Sequence, residues 1–188
     1  MARPLSEEKR SAILTAATGL VAAQGTGAPT AKIAKEAGLA EGTLFTYFAN
    51  KDELLNQLYI DIKVDLAAAI MDAFPSGGGV RERCHHVWNA YVTWGSAYPT
   101  KRKAMRQLRV SEKITEQSRQ RGSLAFRDVN HVFDELADSA GVERDAAFAG
   151  ALFESLAETT LEFMARAPGR HEHYRQAGFD VLWSGIAG

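Results

Sequence analysis

The fold of this chain is decided by residues 30–52, TAKIAKEAGLAEGTLFTYFANKD, which predict two short helices joined by a tight turn. Thr30 is expected to cap the first of these two short helices, because its hydroxyl can accept a hydrogen bond from a backbone N–H in the first turn. Gly38 can adopt the positive φ at which a helix ends, and the second helix is expected over residues 41–48. The arrangement predicted is a helix-turn-helix.

The second of these helices has an inner and an outer face. Leu44 and Phe48 lie one turn apart and are expected to point inward. A helix of this size fits the major groove of B-DNA, where each base pair presents its own donors and acceptors. Thr43 and Thr46 offer hydroxyl and methyl groups to base edges, and Tyr47 can donate to a phosphate. The outer face therefore predicts a DNA-reading surface.

Helix signals continue on both sides of this segment. Ser6 is predicted to cap the first helix of the chain, and Gly25 to close it. Asn50 is predicted to cap a fourth helix over residues 51–74. Lys51 begins that helix, where backbone amides and positive charge favour a phosphate.

The remainder of the chain also has helical periodicity, with Gly122 predicted to interrupt it. Further helices are expected over residues 80–98, 101–114, 123–140, 144–167 and 170–186. No strand-like alternation is found, so the predicted fold class is all-α with about nine helices. The predicted domains are a three-helix helix-turn-helix DNA-binding domain, residues 1–51, and a helical ligand-binding and dimerisation domain, residues 52–188.

Composition limits the possible function classes. The chain has 188 residues and a net charge of -1, which excludes a polycation that coats nucleic acid. Its single cysteine, Cys84, excludes a disulfide framework and fits a reducing compartment. No apolar run approaches the roughly 20 residues of a membrane span, and the N-terminus lacks the apolar core of a signal peptide. We therefore expect a cytoplasmic protein without a membrane partner.

The segment IAKEAGL at residues 33–39, followed by GTLF at 42–45, YF at 47–48, Lys51 and Leu54-Leu55, is similar to the signature of the TetR family of transcriptional regulators. The resemblance implies an all-α homodimer that binds DNA, usually as a repressor, and releases it on binding a small molecule. It further implies phosphate contacts from Thr30, Tyr47 and Lys51, and base or sugar contacts from Thr43, Phe45 and Thr46. Two residues depart from the family pattern: Ala40 replaces the usual Ser or Thr cap, and Phe45 replaces a common Tyr.

The last two predicted helices carry small and apolar residues that permit close helix packing. In TetR-family proteins these helices pair with their copies in a four-helix bundle, and the resemblance implies the same here. The residues predicted at the dimer interface are Phe153, Leu156, Leu161, Tyr174, Val181 and Leu182. The alternative is that they pack inside one protomer.

A ligand cavity is expected among the helices of the second domain, because aromatic residues are dense in residues 80–98. An apolar pocket with a few polar groups is typical of small-molecule sites. The residues predicted to line it are Trp88, Tyr91, Trp94, Phe126, Asn130, Phe133, Phe148 and Leu152. An aromatic stripe at helical spacing also fits an ordinary core, and this alternative stays open.

No catalytic or metal chemistry is indicated. His85, His86 and His131 lack a second cysteine or a carboxylate at ligand spacing, and no Ser-His-Asp order or phosphate loop is present. The sequence thus predicts a non-enzyme without a cofactor. The resemblance implies a repressor that binds a palindromic operator in double-stranded DNA as a homodimer and is released by an unidentified small molecule. Activation of transcription fits the same residues. The alternative is a helical small-molecule carrier or sensor whose N-terminal domain mediates protein interaction.

Overall fold

The computed structural model describes residues 6–139 and 146–187, and these residues form helices and no strand. The predicted all-α class is confirmed. One 3-10 turn, Pro168–Arg170, precedes the last helix. The α-helices of the described residues are α1 (Glu7–Gln24), α2 (Thr30–Glu36), α3 (Glu41–Tyr47), α4 (Lys51–Met71), α5 (Val80–Ala97), α6 (Pro99–Arg109), α7 (Glu116–Leu124), α8 (Arg127–Ser139), α9 (Ala146–Arg166) and α10 (His171–Ala187).

The helices belong to two compact units. We call Met1–Asp65 together with Tyr98–Leu124 the head unit, and Leu66–Ala97 together with Ala125–Gly188 the body unit. Helix α4 contributes residues to both. This division follows backbone packing, and the functional boundary predicted after residue 51 stays a prediction. None of the described helices has both the length and the apolar content required to cross a bilayer.

The described residues contain ten α-helices where about nine were predicted, and the additional one is α7. Thr115 caps it, since its hydroxyl oxygen accepts a hydrogen bond from the Ser118 N–H at 3.2 Å. Gly122 was expected to break the helix, but it lies inside α7 and is buried. A Cβ at this position would come within 2.9 Å of Tyr59 Cε1 on α4. The glycine therefore permits close helix packing and does not end a helix.

Most predicted helix ends are confirmed. The Ser6 hydroxyl accepts from the Lys9 N–H at 3.4 Å, and Gly25 closes α1 with φ +74°. The Asn50 side chain accepts from the Glu53 N–H at 2.8 Å and caps α4. The prediction for Thr30 is wrong, because Pro29 occupies the cap position and Thr30 is the first residue of α2.

The later helix bounds also differ from prediction. Helix α4 ends at Met71, three residues before the expected end, and Ala73 follows with φ +52°. The predicted start at residue 144 and the predicted end at residue 140 lie outside the described residues. In the body unit, α5 packs against α8, α9 and α10. In the head unit, α1 packs against α2 and α6, and α2 against α3.

Candidate DNA-reading surface

The angle between α2 and α3 is set by a glycine turn and a buried scaffold. Gly38 has φ +70°, its N–H donates to the Lys35 carbonyl at 3.0 Å, and the Leu39 N–H donates to the Ala34 carbonyl at 2.9 Å. This pair of bonds is a Schellman motif, which ends α2 abruptly. The scaffold side chains are fully or almost fully buried: Ile33, Ala34, Leu44 and Phe48. The inner face predicted for the motif is therefore present.

The outer face of α3 carries the predicted base-reading residues. Phe45 is 41% exposed, Thr46 is exposed and Thr43 is half-buried. The Thr46 hydroxyl donates to the Thr43 carbonyl at 2.6 Å. This bond uses the hydroxyl proton within α3, so Thr46 presents its methyl group and an acceptor oxygen. Such a surface can contact a thymine methyl or a base donor.

Tyr47 is held in place by the start of α1. Its hydroxyl oxygen accepts the Ser6 N–H at 3.1 Å. Because the oxygen is the acceptor in this bond, the phenolic proton stays available to a phosphate oxygen. Ser6 was predicted only as a helix cap, and its contact with Tyr47 was missed. No local pattern could have indicated a contact across 41 positions.

The first turn of α4 is organised for a fixed backbone. Besides the Asn50 cap, the Glu53 carboxylate accepts the Ala49 N–H. Lys51 begins the helix and is half-buried. The preceding Phe48 ring lies beneath Arg10, whose guanidinium carbon is 5.9 Å from the ring centroid. The lysine predicted to bind phosphate therefore lies in a backbone segment held by these two hydrogen bonds.

Neither α2 nor α3 has a side-chain hydrogen bond at its N-cap, and Thr30 and Ala40 lie at these two helix starts. The Thr30 hydroxyl donates to Glu41 Oε1 at 2.6 Å. A phosphate contact from this hydroxyl would require the bond to Glu41 to exchange. Ala40 is the N-cap residue of α3 and makes no side-chain capping bond, as the sequence indicated. Helix α3 thus depends on its packed face for its stability.

The predicted ligand-binding residues divide between the interior and the surface of the body unit. Trp88, Trp94 and Phe133 are buried, whereas Phe148 is 61% exposed and Leu152 is 40% exposed. The remaining members are the half-buried Tyr91 and Phe126 and the exposed Asn130. The structure therefore brings together only part of the predicted set.

An aromatic cluster lies at the centre of the body unit. The ring centroids of Trp88, Tyr91 and Phe133 lie 5.5, 5.4 and 5.4 Å from that of Phe153, each in an edge-to-face arrangement. Trp88 Nε1 also donates to the Arg175 carbonyl at 2.9 Å. These contacts are those of a packed core. The proposal that the same rings line a ligand cavity stays a prediction.

The predicted dimer residues divide in the same way. Phe153, Leu161 and Leu182 are buried within the body unit, so little of their surface remains for a second chain. Leu156 and Tyr174 are half-buried, and Val181 is 59% exposed. Exposed apolar side chains of α9 and α10 that could face a partner are Phe148, Leu152, Phe163 and Val181.

The thiol and imidazole side chains of α5 are buried or make contacts with neighbouring residues of the body unit. Cys84 is a buried free thiol, and burial raises its pKa to about 12. The centroid of the His85 ring lies 4.5 Å from that of the Phe179 ring, and His86 Nε2 donates to the Ile70 carbonyl at 2.8 Å. Across residues 6–139 and 146–187, no three His, Cys, Asp or Glu residues are grouped as metal ligands.

The chain is similar to known regulators in its head and in its whole fold. Residues 13–58 match the family described as bacterial regulatory proteins, tetR family. A structure assigned to the tetR family of transcription regulators, from Shewanella sp. PV-4, matches with a TM-score of 0.84 and 27% identity, over 96% of this chain and 98% of that chain.

Two further solved structures share the fold. A TetR family transcription regulator from Marinobacter aquaeolei VT8 matches with a TM-score of 0.84 and 22% identity, over 96% of each chain. The transcriptional regulator FadR from Bacillus subtilis, in complex with stearoyl-CoA, matches with a TM-score of 0.70 and 18% identity, over 94% of this chain and 99% of that chain. The helix-turn-helix of this chain therefore matches the tetR family of bacterial regulatory proteins, and the whole chain shares the fold of a tetR-family transcription regulator.

Proposed function

We propose that this chain is a ligand-responsive repressor that binds a palindromic operator as a homodimer and leaves it when a small molecule binds. The observation that carries the proposal is the outer face of α3. Thr43, Phe45 and Thr46 face outward from a buried scaffold, Tyr47 is held by its bond to Ser6, and Lys51 begins α4. A rigid helix with an exposed polar and aromatic face is suited to the major groove.

The homodimer is supported by the exposed apolar residues of α9 and α10. Phe163 is 45% exposed and Val181 is 59% exposed, although both are large apolar side chains. A two-fold contact through these helices would bury them. A dimer would then present two α3 helices about 34 Å apart, one DNA turn, and read a palindrome.

Release by a small molecule would act through α4. This helix contributes residues to both compact units and contains no glycine or proline between Lys51 and Met71. The structure of Bacillus subtilis FadR holds stearoyl-CoA, which shows that a protein of this fold binds a small molecule. A coupling of about 1–3 kcal/mol between ligand and DNA would suffice for regulation. We place the protein in the cytoplasm, propose no enzymatic activity for it, and leave the effector unnamed.

The first test is selection of genomic DNA fragments by the full-length chain, followed by footprinting. We expect one or a few palindromic sites to be retained. Retention of no specific fragment would contradict the proposal and favour the alternative of a small-molecule carrier or sensor. A reporter placed behind the selected site then separates repression from activation, because only repression lowers expression when the regulator is present.

The second test addresses the docking geometry. Lys51→Ala should weaken binding to every sequence and reduce the slope of log affinity against log salt by about 0.9 for each phosphate that is no longer neutralised. Thr43→Val should alter base preference with little change in that slope. Lys103→Ala removes the same charge from an exposed position on α6 and serves as the control. An unchanged affinity and slope for Lys51→Ala would overturn this docking.

A further inference from the structure

The loop between α6 and α7, residues 110–115, is hydrogen-bonded to Asn56 in the second turn of α4. Asn56 Nδ2 donates to the Asp52 carbonyl at 2.7 Å and to the Lys113 carbonyl at 2.8 Å. Its Oδ1 accepts from the Thr115 N–H at 2.9 Å and from the Thr115 hydroxyl at 3.2 Å. Both polar ends of the amide are therefore used, and the loop is fixed to one side of α4.

A second group of contacts also holds this part of the chain. The Arg119 guanidinium donates to the Arg109 carbonyl at 3.0 Å and to the Ser111 carbonyl at 3.1 Å. Ile114 is buried, with 4% of its surface exposed. Because polar and apolar anchors act on different loop residues, the backbone position of Lys113 is determined by more than one contact.

From this fixed backbone, the Lys113 side chain points towards the first turn of α4. Its ammonium nitrogen lies 3.3 Å from Asp52 Oδ2, one helical turn nearer the N-terminus of α4 than Asn56. The Lys113 side chain is 58% exposed and that of Asp52 is 52% exposed. The next residue towards the N-terminus is Lys51, which the proposed docking assigns to a phosphate. Lys51 is thus the first residue of α4, and the Lys113 ammonium is paired with the second.

The ion pair of Lys113 leaves this lysine able to bind a phosphate. Asp52 and Glu53 follow Lys51 in the first turn of α4, where the Glu53 carboxylate accepts the Ala49 N–H and the Asp52 carboxylate pairs with Lys113. An exposed ion pair such as that of Lys113 with Asp52 contributes little to stability. The lysine can therefore exchange its carboxylate partner for a phosphate oxygen at little cost.

We infer that the α6–α7 loop is part of the DNA-contact surface, and that Lys113 binds a backbone phosphate next to the one bound by Lys51. The inference rests on the proposed docking of α3 in the major groove. It extends the contact surface beyond the helix-turn-helix, to a loop about sixty residues further along the chain. A phosphate contact of this kind adds affinity and fixes orientation without reading sequence.

The test measures affinity for the selected operator and for unrelated duplex DNA across a range of salt, using the full chain. Lys113→Ala should weaken both by a similar factor of several-fold and lower the salt slope by about 0.9 per phosphate, hence about 1.8 on a two-fold site. Lys113→Arg should keep the slope. Lys103→Ala is the charge-matched control and should also keep it. A Lys113→Ala slope equal to that of Lys103→Ala would overturn the inference.

The same Lys113→Ala change made in an Asp52→Asn variant separates phosphate binding by Lys113 from neutralisation of the Asp52 carboxylate. In Asp52→Asn, the carboxylate that Lys113 could neutralise is absent. A persistent decrease in slope on adding Lys113→Ala supports a direct phosphate contact, whereas disappearance of the effect overturns it. If the unmodified chain bound no DNA, the proposed function itself would fail. If it bound DNA normally and Lys113→Ala changed nothing, only the present inference would fail.

Discussion

The head unit and the body unit both have buried apolar cores, but they differ in the contacts made around their predicted site residues. In the head unit, polar side chains join distant segments, as in the bonds of Tyr47 with Ser6 and of Asn56 with the α6–α7 loop. In the body unit, aromatic rings surround Phe153. Hydrogen bonds are directional and apolar packing is not. The head unit thus holds exposed groups at fixed angles, while the body unit gains stability from burial.

The largest expected effect is in the aromatic cluster. Phe153→Ala should lower the free energy of unfolding by about 3–5 kcal/mol, because it removes a buried ring that contacts three others. Urea denaturation at fixed protein concentration measures this. Phe45→Ala removes the same side chain from an exposed position on α3 and should change stability by less than about 0.5 kcal/mol. Equal decreases for the two variants would remove the contrast between the units.

A smaller effect is expected where a helix packs too closely for a side chain. A Cβ at Gly178 on α10 would overlap Thr160 Oγ1 and lie 2.6 Å from Trp88 Cζ2. Gly178→Ala should therefore cost about 1–3 kcal/mol in unfolding free energy. Gly19 on α1 has open space around it, so Gly19→Ala should gain about 0.5–1 kcal/mol from helix propensity. A stabilising Gly178→Ala would show that α10 can move away from Trp88.

One buried group in each unit, Lys63 and Cys84, should change stability in opposite directions at alkaline pH. Burial, together with the charge of Arg109, lowers the pKa of Lys63 in the head unit from 10.5 to about 8. Between these values the unfolded lysine holds a proton that the folded one has released, so stability rises with pH by at most about 1.4 kcal/mol per unit. Burial raises the pKa of Cys84 from 9.0 to about 12, so stability from the folded thiol is lost above about pH 9.

Denaturation between pH 7 and 10 distinguishes these two contributions. Lys63→Met should remove the rising part of the stability profile, because no charged group remains to be buried. Cys84→Ala should remove the falling part above pH 9. A profile for Lys63→Met that still rises as steeply as that of the unmodified chain would exclude this lysine as the source.

The smallest effect concerns the missing cap of α3. Ala40→Ser supplies a hydroxyl that can accept an N–H of the first turn and should raise stability by about 0.5–1 kcal/mol. Asn50→Ala removes an existing cap from α4 and should lower it by about 1 kcal/mol. Thermal unfolding of both variants checks the pair. No gain for Ala40→Ser would indicate that the first turn of α3 already has another partner.

Local features of the fold could be predicted because they depend only on residues close together in the sequence. Gly38, Ser6 and Asn50 end or begin helices as expected, and Leu44 and Phe48 face inward. Each depends on the identity of a residue and its spacing within one or two turns. The same information predicted which face of α3 is exposed, and the role of that face in DNA reading stays a prediction.

Contacts between distant segments could not be predicted in this way. The period of a helix shows which of its faces is apolar, but not which segment packs against it. Gly122 was therefore interpreted as a break, although it accommodates Tyr59, and the bonds of Asn56 to residues 57 and 59 positions away left no local pattern. For the aromatic residues of α5, the sequence left core and cavity as alternatives. The rings of Trp88 and Tyr91 pack on Phe153.

The burial of Cys84 has a practical consequence for spectroscopy. It is the only cysteine of the chain, and as a buried, protonated thiol it should react slowly with maleimides near neutral pH. A cysteine introduced at an exposed site, for example by Thr46→Cys, would then be the fast-reacting thiol. Spin labels or fluorophores could be attached there without removing the native residue. In the proposed dimer, distances between labels on the two copies of α3 would then be measurable in solution, with and without DNA.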